Sequence, residues 1–179
     1  MTCVVGTVDE SGRVHLGADS SAVDDNQITS HVMPKVFKLG EFGIGYCHSF
    51  RLGQIIEYSF TPPPLPKKAN ENELLHYMIK EFIPTLRTEL EIQQYPLHDD
   101  EKTDWSLLVG IRGHLFTIEP DYHLGYDDEN YAAIGAGAEY ALGAMFASDY
   151  SGSDLVSVGL MAADAFCPYV TKPFHFIEV

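Results

Sequence analysis

The sequence predicts an α+β domain. Three observations lead there: a β-rich opening punctuated by glycine turns, amphipathic stretches that come in pairs, and strand patterns that return between and after those pairs. Strands joined by short turns run antiparallel, and helices grouped in pairs argue against a regularly alternating α/β sheet. The 179 residues suit one domain, 1–179, since a domain of about 150 residues already buries ~68–70% of its unfolded surface. No internal repeat is visible.

Thr2 to Val8 is rich in β-branched residues, Asp9-Glu10-Ser11-Gly12 forms a turn, and Arg13 to Asp19 alternates polar and apolar as the return strand of a hairpin. Gln27 to Val32 and Val36 to Leu39 read as a second strand pair, and Gly43 to Cys47 as a buried strand. Leu52, Ile55, Ile56 and Phe60 set a helical period over Phe50 to Phe60. Consecutive prolines donate no N–H and forbid helix, so Pro62-Pro63-Pro64-Leu65-Pro66 is extended, a stiff connector between helices rather than a proline-rich ligand. Asn72 is placed to cap a helix from Glu73 to Ile92, whose apolar face carries Leu74, Leu75, Met78, Ile79, Phe82, Leu86 and Leu90, with Pro84 kinking or restarting it.

After an acidic loop, His98-Asp99-Asp100-Glu101, strands recur at Trp105 to Ile111 and Leu115 to Ile118 with Gly113 at their turn. The polar Asp127-Asp128-Glu129-Asn130 leads to a strand from Tyr131 to Ile134. Helices near Ala138 to Ala147 and Ser153 to Pro168 and a final strand complete the pattern.

A net charge of −15, with 26 Asp and Glu against 11 Lys and Arg, makes phosphate backbones and anionic membranes poor partners, so neither nucleic acid nor membrane is expected. No stretch approaches the roughly 20 apolar residues a membrane span needs, and no signal peptide is recognisable, so a soluble, cytoplasmic protein is the expectation. Cys3, Cys47 and Cys167 sit among apolar neighbours and read as reduced core residues. The eight His are scattered singly, and no metal or other cofactor is expected.

Thr2 is where chemistry enters. Removal of Met1, permitted by a small second residue, would place a hydroxyl and an α-amine on one residue. An α-amine of pKa about 7.7 to 8.0 can act as general base for its own hydroxyl once a neighbouring cation lowers it. Taken alone, Met-Thr begins many ordinary proteins, Asp19 would be a residue at a strand end, and Lys35 a surface charge. Their order is more specific: Thr2-Cys3-Val4-Val5-Gly6, then Gly12 through Gly17-Ala18-Asp19, then Met33-Pro34-Lys35-Val36.

This arrangement resembles the proteasome β-subunits and, in its length and start, the bacterial HslV-type threonine peptidases. Further blocks are Phe42-Gly43-Ile44-Gly45-Tyr46-Cys47, Ala133-Ile134-Gly135-Ala136-Gly137 and Phe174-His175-Phe176-Ile177-Glu178, whereas about 61–102 is similar only in pattern. The resemblance implies a four-layer αββα sandwich of the N-terminal nucleophile hydrolase type and a threonine-type endopeptidase. In it Thr2 would be the nucleophile, Lys35 the cation beside it, Asp19 the anchor of Lys35, and Asp164 an Asp near the active Thr. It also implies an oxyanion and substrate pocket around Tyr46 and the backbone N–H of His48. For partners it implies a homo-oligomer, in the family a ring or stacked rings, an unfolded polypeptide substrate and an ATPase unfoldase.

Two departures keep other readings open. Ala136 replaces the family's Ser in Gly-Ser-Gly, and His48 stands where the family commonly has Gly. An inactive proteasome-like structural subunit and a small-molecule amidase of the same fold are the alternatives.

Overall fold

In the structure, a computed structural model, residues 2–24, 27–30, 33–96, 104–126 and 129–179 are described. The acidic loop at 98–101 and Asp127-Asp128 lie outside them.

Two antiparallel sheets form the centre. In the first, β1 (Val4–Val8) lies between β2 (Val14–Ala18) and β10 (Tyr131–Ile134), and β11 (His175–Glu178) closes the far side of β2. The second has β5 (Val36–Leu39), β6 (Phe42–Cys47), β7 (Ser106–Ile111), β8 (His114–Ile118) and the short β9 (Leu124–Gly125), in that order. Side chains alternate between faces along a strand, so β1 serves two cores at once. Val4 packs between the sheets with Val14, Leu16, Val36 and Leu108, while Val5 points the other way onto Ala141, Val156 and Leu160.

Helices α4 (Ala138–Phe146) and α5 (Gly152–Phe166) cover the first sheet. The second is covered by α1 (Phe50–Tyr58), α2 (Glu71–Tyr77) and α3 (Ile83–Ile92), through a core rich in Phe and Tyr. Four layers follow, helices, sheet, sheet, helices, which is the αββα sandwich expected.

Several local expectations need correction. Residues 27–32 and 36–39 do not pair with each other: β4 (Gln27–Ser30) pairs with β3 (Ser21–Asp24), and β5 pairs with β6. The missed β3 follows directly on Asp19-Ser20, whose polar character hides a strand in a hydrophobicity pattern. The cap of α2 is Asn70 rather than Asn72. Asn70 Oδ1 accepts from Glu73 N at 3.0 Å and Glu73 Oε2 accepts from Asn70 N at 3.0 Å, a reciprocal pair that Asn72, with Leu75 three residues on, cannot make.

Pro84 restarts the helix, as expected, standing in the first turn of α3. A π-helical turn over Met78–Phe82 precedes α3, with Ile83 N donating to Met78 O. Its wider register accommodates a residue that has no N–H to donate, and the Thr85 hydroxyl donates to Glu81 O at 2.7 Å. The proline connector is fastened by Tyr77 Oη donating to Pro63 O (2.6 Å) and Arg112 Nη1 donating to Pro66 O (2.6 Å). At the β7–β8 turn both Arg112 (φ 47°) and Gly113 (φ 76°) are left-handed, which matches the twist of a two-residue hairpin.

Candidate active site

Thr2 and Cys3 extend β1 beyond its last ladder pair, at the end where β2 delivers Asp19 and β10 delivers Gly135. The backbone there is gripped from both sides. Cys3 N donates to Asp19 Oδ1 at 3.0 Å, and Asp19 N returns a bond to Cys3 O at 3.2 Å. Gly137 N donates to Thr2 O at 3.3 Å. Gly135 has φ 92°, and a Cβ on it would fall 2.3 Å from Thr2 O. Only glycine allows the β10–α4 loop to close over the Thr2 carbonyl.

Asp19 and Lys35 form a buried ion pair, 2.9 Å between Asp19 Oδ1 and Lys35 Nζ, with side chains 0% and 1% exposed. An isolated charge at such depth is expensive, so the pair persists only through its bonds. Asp19 Oδ1 takes Cys3 N and Lys35 Nζ, and Oδ2 takes Ser21 N at 2.9 Å and faces the Ser21 hydroxyl, which also lies against Tyr169 O. Burial pushes the Lys35 ammonium below its ordinary value, and the Asp19 charge opposes that shift. The carboxylate thus ties Cys3, the neighbour of Thr2, to a cation of reduced proton affinity.

Beside Thr2 lies a narrow cleft of about 10 Å³ lined by Thr2, Tyr46, His48, Ser49 and Phe50. The expected pocket residues Tyr46 and His48 are therefore brought to Thr2. A groove of about 530 Å³ runs along Asn70, Glu73, His76, Tyr77 and Glu81, but shares no residue with the buried ion pair. Chemistry, not size, selects the smaller cleft. His48 is left-handed at φ 70°, and Ser49 N donates across it to Cys47 O at 2.9 Å, which makes a γ-turn. A non-glycine residue held there stores about 1–3 kcal/mol of strain. Its ring contacts Cys47 Sγ through Nδ1 (3.0 Å) and Asp104 Oδ2 through Nε2 (3.5 Å). Ser49 then caps α1, its Oγ accepting from Leu52 N at 3.1 Å.

Asp164 is placed differently from Asp19. The resemblance implies an Asp near the active Thr here, whereas its side chain is 29% exposed and pairs with Lys172 Nζ at 3.7 Å. Water and an exposed cation relieve the burial penalty. The same helix end reaches the glycine loop through Cys167, whose Sγ donates to Ala136 O at 3.6 Å.

The sequence reading missed Ser21, the grip of Gly135 on Thr2, and Asp104. An Asp followed two residues later by Ser is a local turn signature, and it would have found Ser21. Nothing local announces the other two. Among the described residues no group of three or more His, Cys, Asp or Glu could hold a metal, and no helix is long and apolar enough to cross a membrane.

No family model matches the sequence, and no curated protein matches it. Solved structures do. Thiobacillus denitrificans BPH, in complex with Epoxomicin, is similar with a TM-score of 0.79 at 21% identity, over 99% of this chain and 98% of that one. HslV from Trypanosoma brucei gives 0.68 at 14% identity, over 99% and 98%. An Anbu Gly-1 mutant from Hyphomicrobium sp. strain MC1 gives 0.69 at 16% identity, over 100% of this chain and 81% of that one. All three are proteasome-type N-terminal nucleophile hydrolases, and the chain has their fold.

Proposed function

We propose that this chain is a threonine-type endopeptidase whose nucleophile is the Thr2 hydroxyl after removal of Met1. The observation that carries the reading is the buried Asp19–Lys35 pair, bonded to the amide next to Thr2. In a protein without chemistry a Lys that is 1% exposed has no purpose that a well-packed apolar side chain would not serve better.

The Thr2 α-amine takes the hydroxyl proton as Oγ attacks the peptide carbonyl, and Lys35, its proton affinity reduced, supplies positive charge beside the developing alkoxide. The backbone N–H of His48 faces the oxyanion; an N–H survives replacement of Gly by any residue except Pro. The amine leaves with the proton, and water hydrolyses the Thr2 ester and regenerates the hydroxyl. Asp19 holds Lys35 in place. Asp164 acts more remotely, from the helix end that meets Ala136.

The same reading extends to unfolded polypeptide as substrate, a homo-oligomer of ring form that encloses the sites, and an ATPase unfoldase that feeds it. The reduced thiols of Cys3, Cys47 and Cys167 suit the cytoplasm. A second reading, an amidase for a small amide, is favoured by the narrowness of the cleft. An inactive structural subunit is favoured by Ala136.

Intact mass, labelling with a Thr-directed electrophile and assays of Thr2→Ala test the proposal together. A mature mass beginning at Thr2, one label per competent chain, and loss of both label and peptide hydrolysis in the variant are expected. Retention of Met1 on active protein, or hydrolysis persisting in Thr2→Ala, would place the chemistry elsewhere.

A further inference from the structure

The cleft beside Thr2 is narrow, and one of its walls is His48. Its other walls are fixed. Tyr46 is 3% exposed, and its ring packs so tightly on Gly53 that a Cβ there would lie 2.3 Å from it. Phe37 and Phe50 flank the same ring, each with centroids 6.4 Å away. Ser49 and Phe50 are locked as the cap and first residue of α1.

His48 is held less firmly. His48 lines the cleft, and among the described residues each ring nitrogen has one partner. Cys47 Sγ lies 3.0 Å from Nδ1 on the buried side of the ring, and Asp104 Oδ2 lies 3.5 Å from Nε2 on the outer side. Asp104 is 70% exposed, which leaves the outer tether in solvent. The resulting space, about 10 Å³, falls far below the ~300 Å³ at which sites for small ligands begin.

We infer that His48 sets the size of the side chain accepted beside Thr2, restricting the residue that donates the scissile carbonyl to small ones such as Gly, Ala or Ser. This rests on Thr2 being the nucleophile. His48 acts by occupying the space that a Leu or Phe side chain would need, with Asp104 as the positioning residue that keeps the ring there.

Peptides that differ only in that residue, Gly, Ala, Leu or Phe, test it on the mature full-length protein in its native assembly. Each is used as a chromogenic amide for kcat/KM and as a peptide electrophile whose occupancy of Thr2 is read by intact mass. One methylene too many in a pocket is worth about 10–200-fold, so wild type should favour Ala over Phe by at least about tenfold.

His48→Gly, which suits a left-handed backbone, should shrink or reverse that ratio by about tenfold or more. Asp104→Asn should move it the same way by less. A ratio unchanged in His48→Gly while Thr2 is still labelled overturns the inference and leaves the peptidase reading standing. If none of the electrophiles labels Thr2 in either protein, the nucleophile assignment fails, and the size filter fails with it.

Discussion

Two aspartates of this chain were expected to serve one site, and the structure treats them in opposite ways. Asp19 is fully buried, spends both oxygens on Cys3, Ser21 and Lys35, and meets its lysine at 2.9 Å. Asp164 is partly solvated and meets Lys172, itself 64% exposed, at 3.7 Å. The same pair of residue types thus makes an interaction fixed by its surroundings in one place and one exchanged with water in the other. Depth and the number of bonds, rather than the presence of an ion pair, distinguish the two carboxylates.

That contrast can be broken most directly at its strong end. Asp19→Ala leaves the Lys35 charge buried and unpaired, and should destabilise the fold by about 3–5 kcal/mol, with loss of Thr2 labelling. Chemical denaturation and intact mass measure the two effects. A loss below about 1 kcal/mol would put Asp19 in the same class as Asp164.

A pH series sharpens the same point. Because the Lys35 pKa is lower in the folded than in the unfolded chain, the unfolded state binds more protons between the two values, and stability attributable to Lys35 rises with pH up to about 10.5. Comparing wild type with Lys35→Met removes the contribution of other groups. The stability difference should shift toward wild type as pH climbs through the alkaline range to 10.5; a shift the other way would mean that Asp19, not burial, dominates.

Ala136 joins the two regions, since its carbonyl accepts from Cys167 on the Asp164 helix and the next residue's amide holds Thr2. Ala136→Ser adds a hydroxyl at an exposed position with little added volume. One hydrogen bond nets about 0.5–1.5 kcal/mol, so turnover per labelled Thr2 should rise roughly threefold to tenfold. Unchanged turnover would show the role already filled. The smallest effect belongs to Asp164→Ala, at about 0–1 kcal/mol of stability, read by thermal melting. A larger loss would move Asp164 into the class of Asp19.

The sequence was most informative where structure is local. The β1–β2 and β7–β8 hairpins carry their turn residues and alternation on their face, and α1, α4 and α5 carry their period. Thr2, Asp19 and Lys35 could be linked through spacing and resemblance. Pairing between distant segments was not legible, which is why residues 27–32 acquired the wrong partner and β3 was missed. Competition between neighbours misled as well: two asparagines could cap α2, and only the reach of the Glu73 side chain decides for Asn70. His48 could be flagged as unusual, but the γ-turn and the tethers to Cys47 and Asp104 depend on how β6 leaves its sheet.

The grip on Thr2 has one more consequence, for the order of events in maturation. It works through the Thr2 carbonyl and the Cys3 amide, through Gly137 and Asp19, and through a glycine at 135 that no side chain can replace. None of these contacts depends on whether the nitrogen of Thr2 is a free amine or an amide. On the proposed mechanism, a chain still carrying Met1 would keep the same backbone grip and lack only its base. Aminopeptidase trimming would then act as a chemical switch that requires no rearrangement of this grip.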